Sequence, residues 1–435
     1  MPQSLQGIST PAEADKLSHE CVACPFCGLV CDDLGVAVSA GRLQITKNGC
    51  TRAEAGFGRA IPEAKPQIGG QDVTLEAAIT EAAQRLKAAR LPLFGGLGTD
   101  VEGMRALLSL ADRSGGVVDH VLSSALYRNI GVLQTKGWFM STLTETRNRA
   151  DLVIVVGANL AVEHPRFFER IVSPDTIMFD KSPINRTVVL IGCGANAAAA
   201  VAGKHVGEVI EVQCAPEAIP MVLGSLRATV KGAPNATNPS HGVLQEQLSD
   251  LAQRCKDASY GVIVWAPQAL AFDGADLAVQ IISDIVRDMN KTTRFAGLSL
   301  GGNDGVATAS SVCSWQSGYP LRVSFASGAP EFDPYRFDIA RMLAAGEGDL
   351  VVWVSSFGPE PAGPPATDLP TIVIGTPGIA LRKTPDVFIP VGTPGLDHSG
   401  RLVRCDSVVS LPLQRLRASP HPRTQDVAAG IQAAL

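Results

Sequence analysis

Residues 21–34 read CVACPFCGLVCDDL, and Cys50 follows Cys31 after eighteen intervening residues. Two residues separate Cys24 from Cys27 and three separate Cys27 from Cys31, so a tight loop supplies three thiols and a returning segment a fourth. A cubane iron-sulfur cluster wants one soft ligand at each of four iron corners, and a short loop can cover three of them. Zinc competes for the same set, because four thiolates hold it tetrahedrally. The spacing favours a 4Fe-4S cluster on Cys24, Cys27, Cys31 and Cys50, with Cys21 as a surplus thiol. Five unrelated core cysteines at this density are a poor alternative.

Around this stretch the chain is long and aliphatic. It has 435 residues, 46% hydrophobic and 18% charged, with 43 glycines, a composition of compact globular domains and not of disorder. The net charge of -5, without a basic run or an arginine patch, argues against nucleic acid or an anionic membrane as partner. The first twenty residues show neither a basic n-region nor an apolar h-region, and the weakly polar run 188–203 is too short to span a bilayer. A cytoplasmic setting is expected, where ten cysteines stay reduced and a clustered set points to metal ligation.

Working outward, residues 1–20 read as a mobile tail and 21–66 as a turn-rich cysteine domain with a hairpin near Leu34 to Ile45. Beyond it, helices and strands alternate. Thr74 is placed to cap a helix whose Leu75, Ala78, Ile79, Ala82 and Leu86 share a face, and a strand at 91–94 leads into Gly95, Gly96 and Gly98 as a turn. Apolar strands follow at 117–118, 151–156, 188–191, 260–265, 294–298, 350–354, 371–374 and 386–390, with surface loops expected at 231–242 and 358–365. Continuous apolar strands separated by helices imply an α/β fold of parallel sheets covered on both faces. The expected division is a discontinuous first α/β domain, 67–145 plus 346–435, and a second, 146–345.

The run from Cys24 to Leu34, CPFCGLVCDDL, resembles the N-terminal motif of the molybdopterin oxidoreductases, and CDDL resembles the B subunit of formylmethanofuran dehydrogenase. Four later stretches are similar to that family in order: FGGLGTDVEG (94–103), RNRADLVIVVGANLAVEHPR (147–166), GGNDGVATASSVCSWQSGYPLRVSFASGAPEFDP (301–334) and IPVGTPGLDHSGRLVRCDSV (389–408). The resemblance spans almost the whole chain. It implies an iron-sulfur domain followed by two Rossmann-like domains that clasp a bis-pterin tungsten or molybdenum cofactor. It also implies a cysteine or selenocysteine metal ligand followed by histidine, at about position 125. Here the segment reads HVLSSALYRN, with Ala125 and Leu126 at that place and His120 too early to substitute.

Ser123 and Ser124 are the remaining oxygen donors nearby. The missing thiolate suggests that the pterin cofactor is lost and that the chain itself is catalytically silent. Within the family this departure resembles the B subunit of the bacterial formyltransferase/hydrolase complex, which implies sister subunits as partners and a role in tetrahydromethanopterin- and methanofuran-linked one-carbon metabolism. Two alternatives stay open: an active formylmethanofuran dehydrogenase subunit, and an iron-sulfur electron-transfer or structural subunit.

Other residues carry two readings each. Gly157 and Asn159 follow an apolar strand, where open α/β sheets bind ligands, or form an ordinary strand-to-helix turn. Arg166 is able to meet a pterin phosphate or to belong to a helix-capping loop. Trp315 and Tyr319, with Gly318 between them in the turn, offer a stacking surface for a planar ligand or a packing anchor. Asn303 beside Asp304 reads first as a turn. Asp397 and His398 resemble a hydrolytic pair without a nucleophile elbow, and Asp32 and Asp33 read as turn-fixing side chains that bond backbone amides. Cys193, Cys214, Cys255, Cys313 and Cys405 read as isolated structural thiols.

Overall fold

The computed structural model describes residues 17–178, 185–201, 203, 205–233, 243–358 and 363–435. Most of the expected tail, most of the 231–242 loop and part of the 358–365 loop lie outside the described residues.

Two sheets organise the molecule. One has five parallel strands in the spatial order Val206–Val212, Arg186–Ile191, Leu152–Val156, Gly261–Trp265, Phe295–Ser299. Leu152–Val156 and Gly261–Trp265 are buried at every position, as strands covered on both faces must be. The second sheet has nine strands. Its parallel centre runs Val117–Val118, Pro92–Gly98, Leu350–Ser355, Thr371–Gly375, Val387–Pro390, and short antiparallel strands finish both edges. The strand order reverses between Leu152–Val156 and Gly261–Trp265 in one sheet and between Pro92–Gly98 and Leu350–Ser355 in the other. Crevices outside the carboxyl ends of strands at such points are where open α/β sheets take ligands.

The helices obey local rules. Thr74 accepts from the Ala77 amide to cap Leu75–Ala88. Asp100 caps Val101–Ser114 through the Gly103 amide, and Gly115, at φ 66°, ends it in the left-handed region.

Some expectations shift. The strand begun at residue 92 continues through the glycines to Gly98 instead of turning at them. Gly95 and Gly96 leave room for the Trp353 ring, which would lie 2.9–3.0 Å from a Cβ at either position. A strand missed in the sequence, Val206–Val212, edges the five-stranded sheet. Residues 17–22 also pair as a strand with Leu34–Ser39, so the segment ordered ahead of Cys21 begins inside the expected tail. A two-stranded hairpin is marginal by itself, and Leu17–Val22 supplies the third strand. Finally, Val323–Ser324 and Glu331–Phe332 join the nine-stranded sheet, although they fall within the span assigned to the second α/β domain.

Candidate functional site

The cysteine loop closes on itself through two backbone bonds, from the Cys24 amide to the Cys31 carbonyl (2.8 Å) and from the Val30 amide to the Cys27 carbonyl (3.1 Å). Cys50 returns at the N-cap of the helix Thr51–Phe57. Together Cys24, Cys27, Cys31 and Cys50 line one small pocket, walled also by Leu29, Leu34, Asn48 and Pro165. Burial pushes the Cys24 thiol well above its ordinary range and Cys27 to about 12, each raised further by its neighbouring cysteines. Such thiols stay protonated at neutral pH until a cation displaces their protons. Among the described residues, no three His, Cys, Asp or Glu side chains converge as a single ion requires. Four thiols around one pocket offer the soft donors that an iron-sulfur cluster or a zinc ion takes. Cys21 is exposed and does not line the pocket.

The loop is seated on the GGND segment. The Gly28 amide donates to Asn303 Oδ1 at 3.0 Å, and a Cβ on Gly28 would stand 1.8 Å from the Gly301 carbonyl oxygen. Asn303 therefore fastens the cysteine loop; its amide also donates to Gln268 at 3.3 Å. Cys405, read from sequence as isolated, donates its amide to the Gly28 carbonyl at 2.8 Å and lies close enough to Cys27 and Cys31 to interact with them electrostatically. Nothing in its linear neighbourhood signals this; only the fold brings it there.

Asp32 and Asp33 are engaged chiefly by arginines and not by the turn amides expected of them. Asp33 takes both terminal nitrogens of Arg166 (2.6 and 2.9 Å), and Asp32 takes Arg170 (2.7 Å). Arg166, also bonded to Glu169, lines the cysteine pocket. Its donors are spent on carboxylates.

The second region is a cavity of about 330 Å³ outside the carboxyl ends of Gly261–Trp265 and Phe295–Ser299. Ala125 lines it from the helix Ser123–Lys136, with Leu122, Leu126, Ile130 and Leu133 beside it. The position expected for a metal ligand thus presents a methyl group to an apolar wall. Ser123 and Ser124 are turned elsewhere, accepting from Arg322 at 3.2 and 3.1 Å. His120 is buried with both nitrogens engaged, accepting from the Leu122 amide and bonding the Asp304 carbonyl, and burial lowers it to about 4, so it stays neutral. The soft donor on this wall, Cys405, comes from the cysteine-loop side, and burial raises its thiol well above the ordinary range.

The remaining candidates lie apart from both pockets. Gly157, at φ 66°, makes the strand-to-helix turn, where a Cβ would stand 2.4 Å from Leu270, and Asn159 caps Leu160–Glu163 through the Ala161 amide. Trp315 is 63% exposed. Tyr319 stacks on Phe332 with centroids 5.2 Å apart, and Gly318, at φ 86°, ends the helix Val306–Ser317. Asp397 is held by Arg417 (2.7 Å) and the Thr393 amide, whereas His398 bonds the carbonyls of Gly392 and Ser399, so the two form no hydrolytic dyad.

No family model matches the chain. It is 30% identical over 346 residues, 77% of this chain and 87% of the relative, to the Fhc B subunit of the formyltransferase/hydrolase complex of Methylorubrum extorquens. It is 27% identical over 420 residues, 93% of this chain and 95% of the relative, to the B subunit of the tungsten-containing formylmethanofuran dehydrogenase 2 of Methanococcus maripaludis. Among solved structures it resembles a chain of the FhcABCD formyltransferase/hydrolase complex of Methylorubrum extorquens in complex with methylofuran. The TM-score is 0.71 at 30% identity, over 85% of this chain and 98% of that one. Acetylene hydratase from Pelobacter acetylenicus shares the fold, with a TM-score of 0.59 at 11% identity, over 96% of this chain and 70% of that one.

Proposed function

The chain belongs to the B-subunit family of formyltransferase/hydrolase complexes and formylmethanofuran dehydrogenases, and on that premise we propose that it is a catalytically silent B subunit of a formyltransferase/hydrolase complex. It assembles with sister subunits that carry the formyl transfer and hydrolysis of tetrahydromethanopterin- and methanofuran-linked one-carbon metabolism.

The observation that carries the reading is the apolar wall at Ala125. A tungsten or molybdenum bis-pterin group wants a soft protein ligand there, and the donor set does not fit. Ala125 and Leu126 are apolar, Ser123 and Ser124 are committed to Arg322, His120 has no free nitrogen, and the one cysteine of the lining, Cys405, is fastened to the cysteine loop and not placed at this position. The cavity's 330 Å³ sits at the low end of the range for drug-sized ligands of roughly 300–1,000 Å³. No step is assigned to a pterin metal in this chain.

The cysteine pocket does fit its group. Cys24, Cys27, Cys31 and Cys50 would hold an iron-sulfur cluster, which supplies a one-electron site and ties the loop to the helix Thr51–Phe57. The cluster's role here is structural, since formyl transfer and hydrolysis involve no net redox change.

Elemental analysis of the native complex, purified anaerobically, tests both halves. About four irons per chain with matching acid-labile sulfide, and no tungsten or molybdenum, is the expected result. Stoichiometric tungsten or molybdenum overturns the silent-subunit reading, and zinc in place of iron overturns the cluster.

A further inference from the structure

Two cavities meet near Ala125, and the reading of a silent subunit assigns a ligand to neither. The first is the apolar chamber of about 330 Å³; a second, of about 320 Å³, lies toward the cysteine loop and is walled by Pro25, Phe26, Arg52, Glu163 and Asp304. Leu122 and Gln268 line both, so the two are chambers of one cleft. In the first chamber the larger polar side chains are committed to one another. Asn129 sits between the Ser299 hydroxyl (2.8 Å) and the Trp265 indole (2.9 Å), and Asp406 holds Arg404 at 2.7 Å and the Leu143 amide at 3.1 Å. The wall beside Ala125 is hydrocarbon, and at Leu133 and Met140, 39% and 38% exposed, it reaches solvent.

The second chamber is polar, and some of its groups lack partners. The Gly28 amide needs the Asn303 oxygen, so the Asn303 nitrogen donates to the Gln268 oxygen at 3.3 Å. That leaves the Gln268 amide nitrogen without a partner among the described residues. Asp304 packs into the space that Gly98 leaves, where a Cβ would stand 2.7 Å from Asp304 Oδ2. This oxygen is shut off from solvent and has no hydrogen-bond partner among the described residues. Buried polar atoms without partners are costly, and folded proteins keep few of them. Burial also holds the Asp304 carboxyl well above the usual carboxylate range, so it stays neutral at ordinary pH. Arg52 faces Glu163 at 3.9 Å, and their charges balance.

We propose that this cleft binds an uncharged organic amide, its apolar body in the chamber beside Ala125 and its carboxamide between Gln268 and Asp304. An amide sets an acceptor beside a donor, which suits the free Gln268 nitrogen and a neutral carboxyl together. A carboxylate offers acceptors alone and an ammonium offers donors alone. Either one also brings a net charge into a chamber whose charges are already paired, at the cost of its own hydration. An apolar body asks for no ligand at position 125, and the Ala125 methyl leaves it room. The inference rests on the reading that no pterin metal group fills this cleft.

Titration of the native complex with benzamide, followed by saturation-transfer NMR, tests the proposal, with benzoate and benzylammonium as charged probes of the same body. Benzamide should bind saturably, and both charged probes about tenfold more weakly or worse. Complexes carrying Ala125→Phe, which fills the apolar chamber, or Gln268→Leu, which removes the free nitrogen, should each lose about tenfold in benzamide affinity. Affinity unchanged in either variant places the binding elsewhere in the complex and overturns the proposal. Equal affinity for a charged probe overturns it too. If Ala125→Phe does not assemble, Gln268→Leu decides. No benzamide binding by a complex free of tungsten and molybdenum overturns this inference alone, whereas stoichiometric tungsten or molybdenum overturns the silent-subunit reading along with it.

Discussion

At the scale of single residues, burial decides more than residue type does. Asp119 stands at the end of Val117–Val118 with 4% of its surface exposed, 3.6 Å from Arg322, and both its oxygens accept backbone amides. Burial outweighs Arg322 and pushes its carboxyl up to about 7, with Asp338 adding to the rise. The folded chain then keeps a proton that the unfolded chain releases near pH 4. Stability contributed by the neutral acid is present below that value and falls as the pH climbs from about 4 to about 7. Asp119→Asn cannot take on the buried charge. Its destabilisation, measured by urea unfolding, should therefore shrink by on the order of 2–3 kcal/mol between pH 5 and pH 8. A penalty that grows over this range contradicts the assignment.

Between elements, one side chain ties two helix ends to a strand. Arg186 begins the strand Arg186–Ile191 and is fully buried. It donates to the carbonyls of Arg147 and Ala150 at the end of Leu143–Arg149, and to those of Ile171 and Val172 at the end of the π turn Phe168–Val172. The last carbonyls of a helix have no partner within it, and this guanidinium satisfies four of them. Burial lowers its pKa only to about 10, so it remains charged at neutral pH. Arg186→Met fills similar space but leaves those carbonyls unpaired. It should destabilise the fold by about 3 kcal/mol or more, read from the urea midpoint. Because Arg166 and Arg170 adjoin the same π turn, the variant should also loosen their ion pairs with Asp33 and Asp32, seen as faster amide exchange across 166–172.

Across the whole molecule, the apolar cavity and the cysteine pocket adjoin at Cys405 and the GGND segment but offer different donors. If the proposed loss of pterin metal chemistry rests on the whole apolar wall, restoring the Cys-His pair alone will not bring it back. Ala125→Cys combined with Leu126→His, expressed in the native complex with tungstate and molybdate supplied, should take up neither metal in stoichiometric amount while iron content stays unchanged. Stoichiometric tungsten in that variant would show that these two positions alone account for the proposed loss. The chain has no helix, among its described residues, long and apolar enough to cross a membrane.

Much of this was legible in the linear chain. Runs such as LVIVV at 152–156 and GVIVW at 261–265 announce two-face burial, because a strand covered on both sides has no place for a polar residue. Thr74 and Asp100 announce helix starts, since their side chains satisfy amides only a few residues away. The cysteine spacing and the apolar pair Ala125 and Leu126 are likewise local facts, and the structure brings Cys24, Cys27, Cys31 and Cys50 to one pocket. Less local features escaped. Val206–Val212 is an edge strand in which Val212 alone is buried, so its sequence lacks the continuous apolar signal of its neighbours.

By itself, then, the sequence determined the α/β class and the four-thiol loop, because each depends on residues close together in the chain. Tertiary structure alone decided that Asp32 and Asp33 grip Arg170 and Arg166, that Asn303 seats Gly28, and that Cys405 joins the cysteine loop. Hydrogen bonds and ion pairs act over about 3 Å of space whatever the separation along the chain, and such partners leave no periodic trace in either segment.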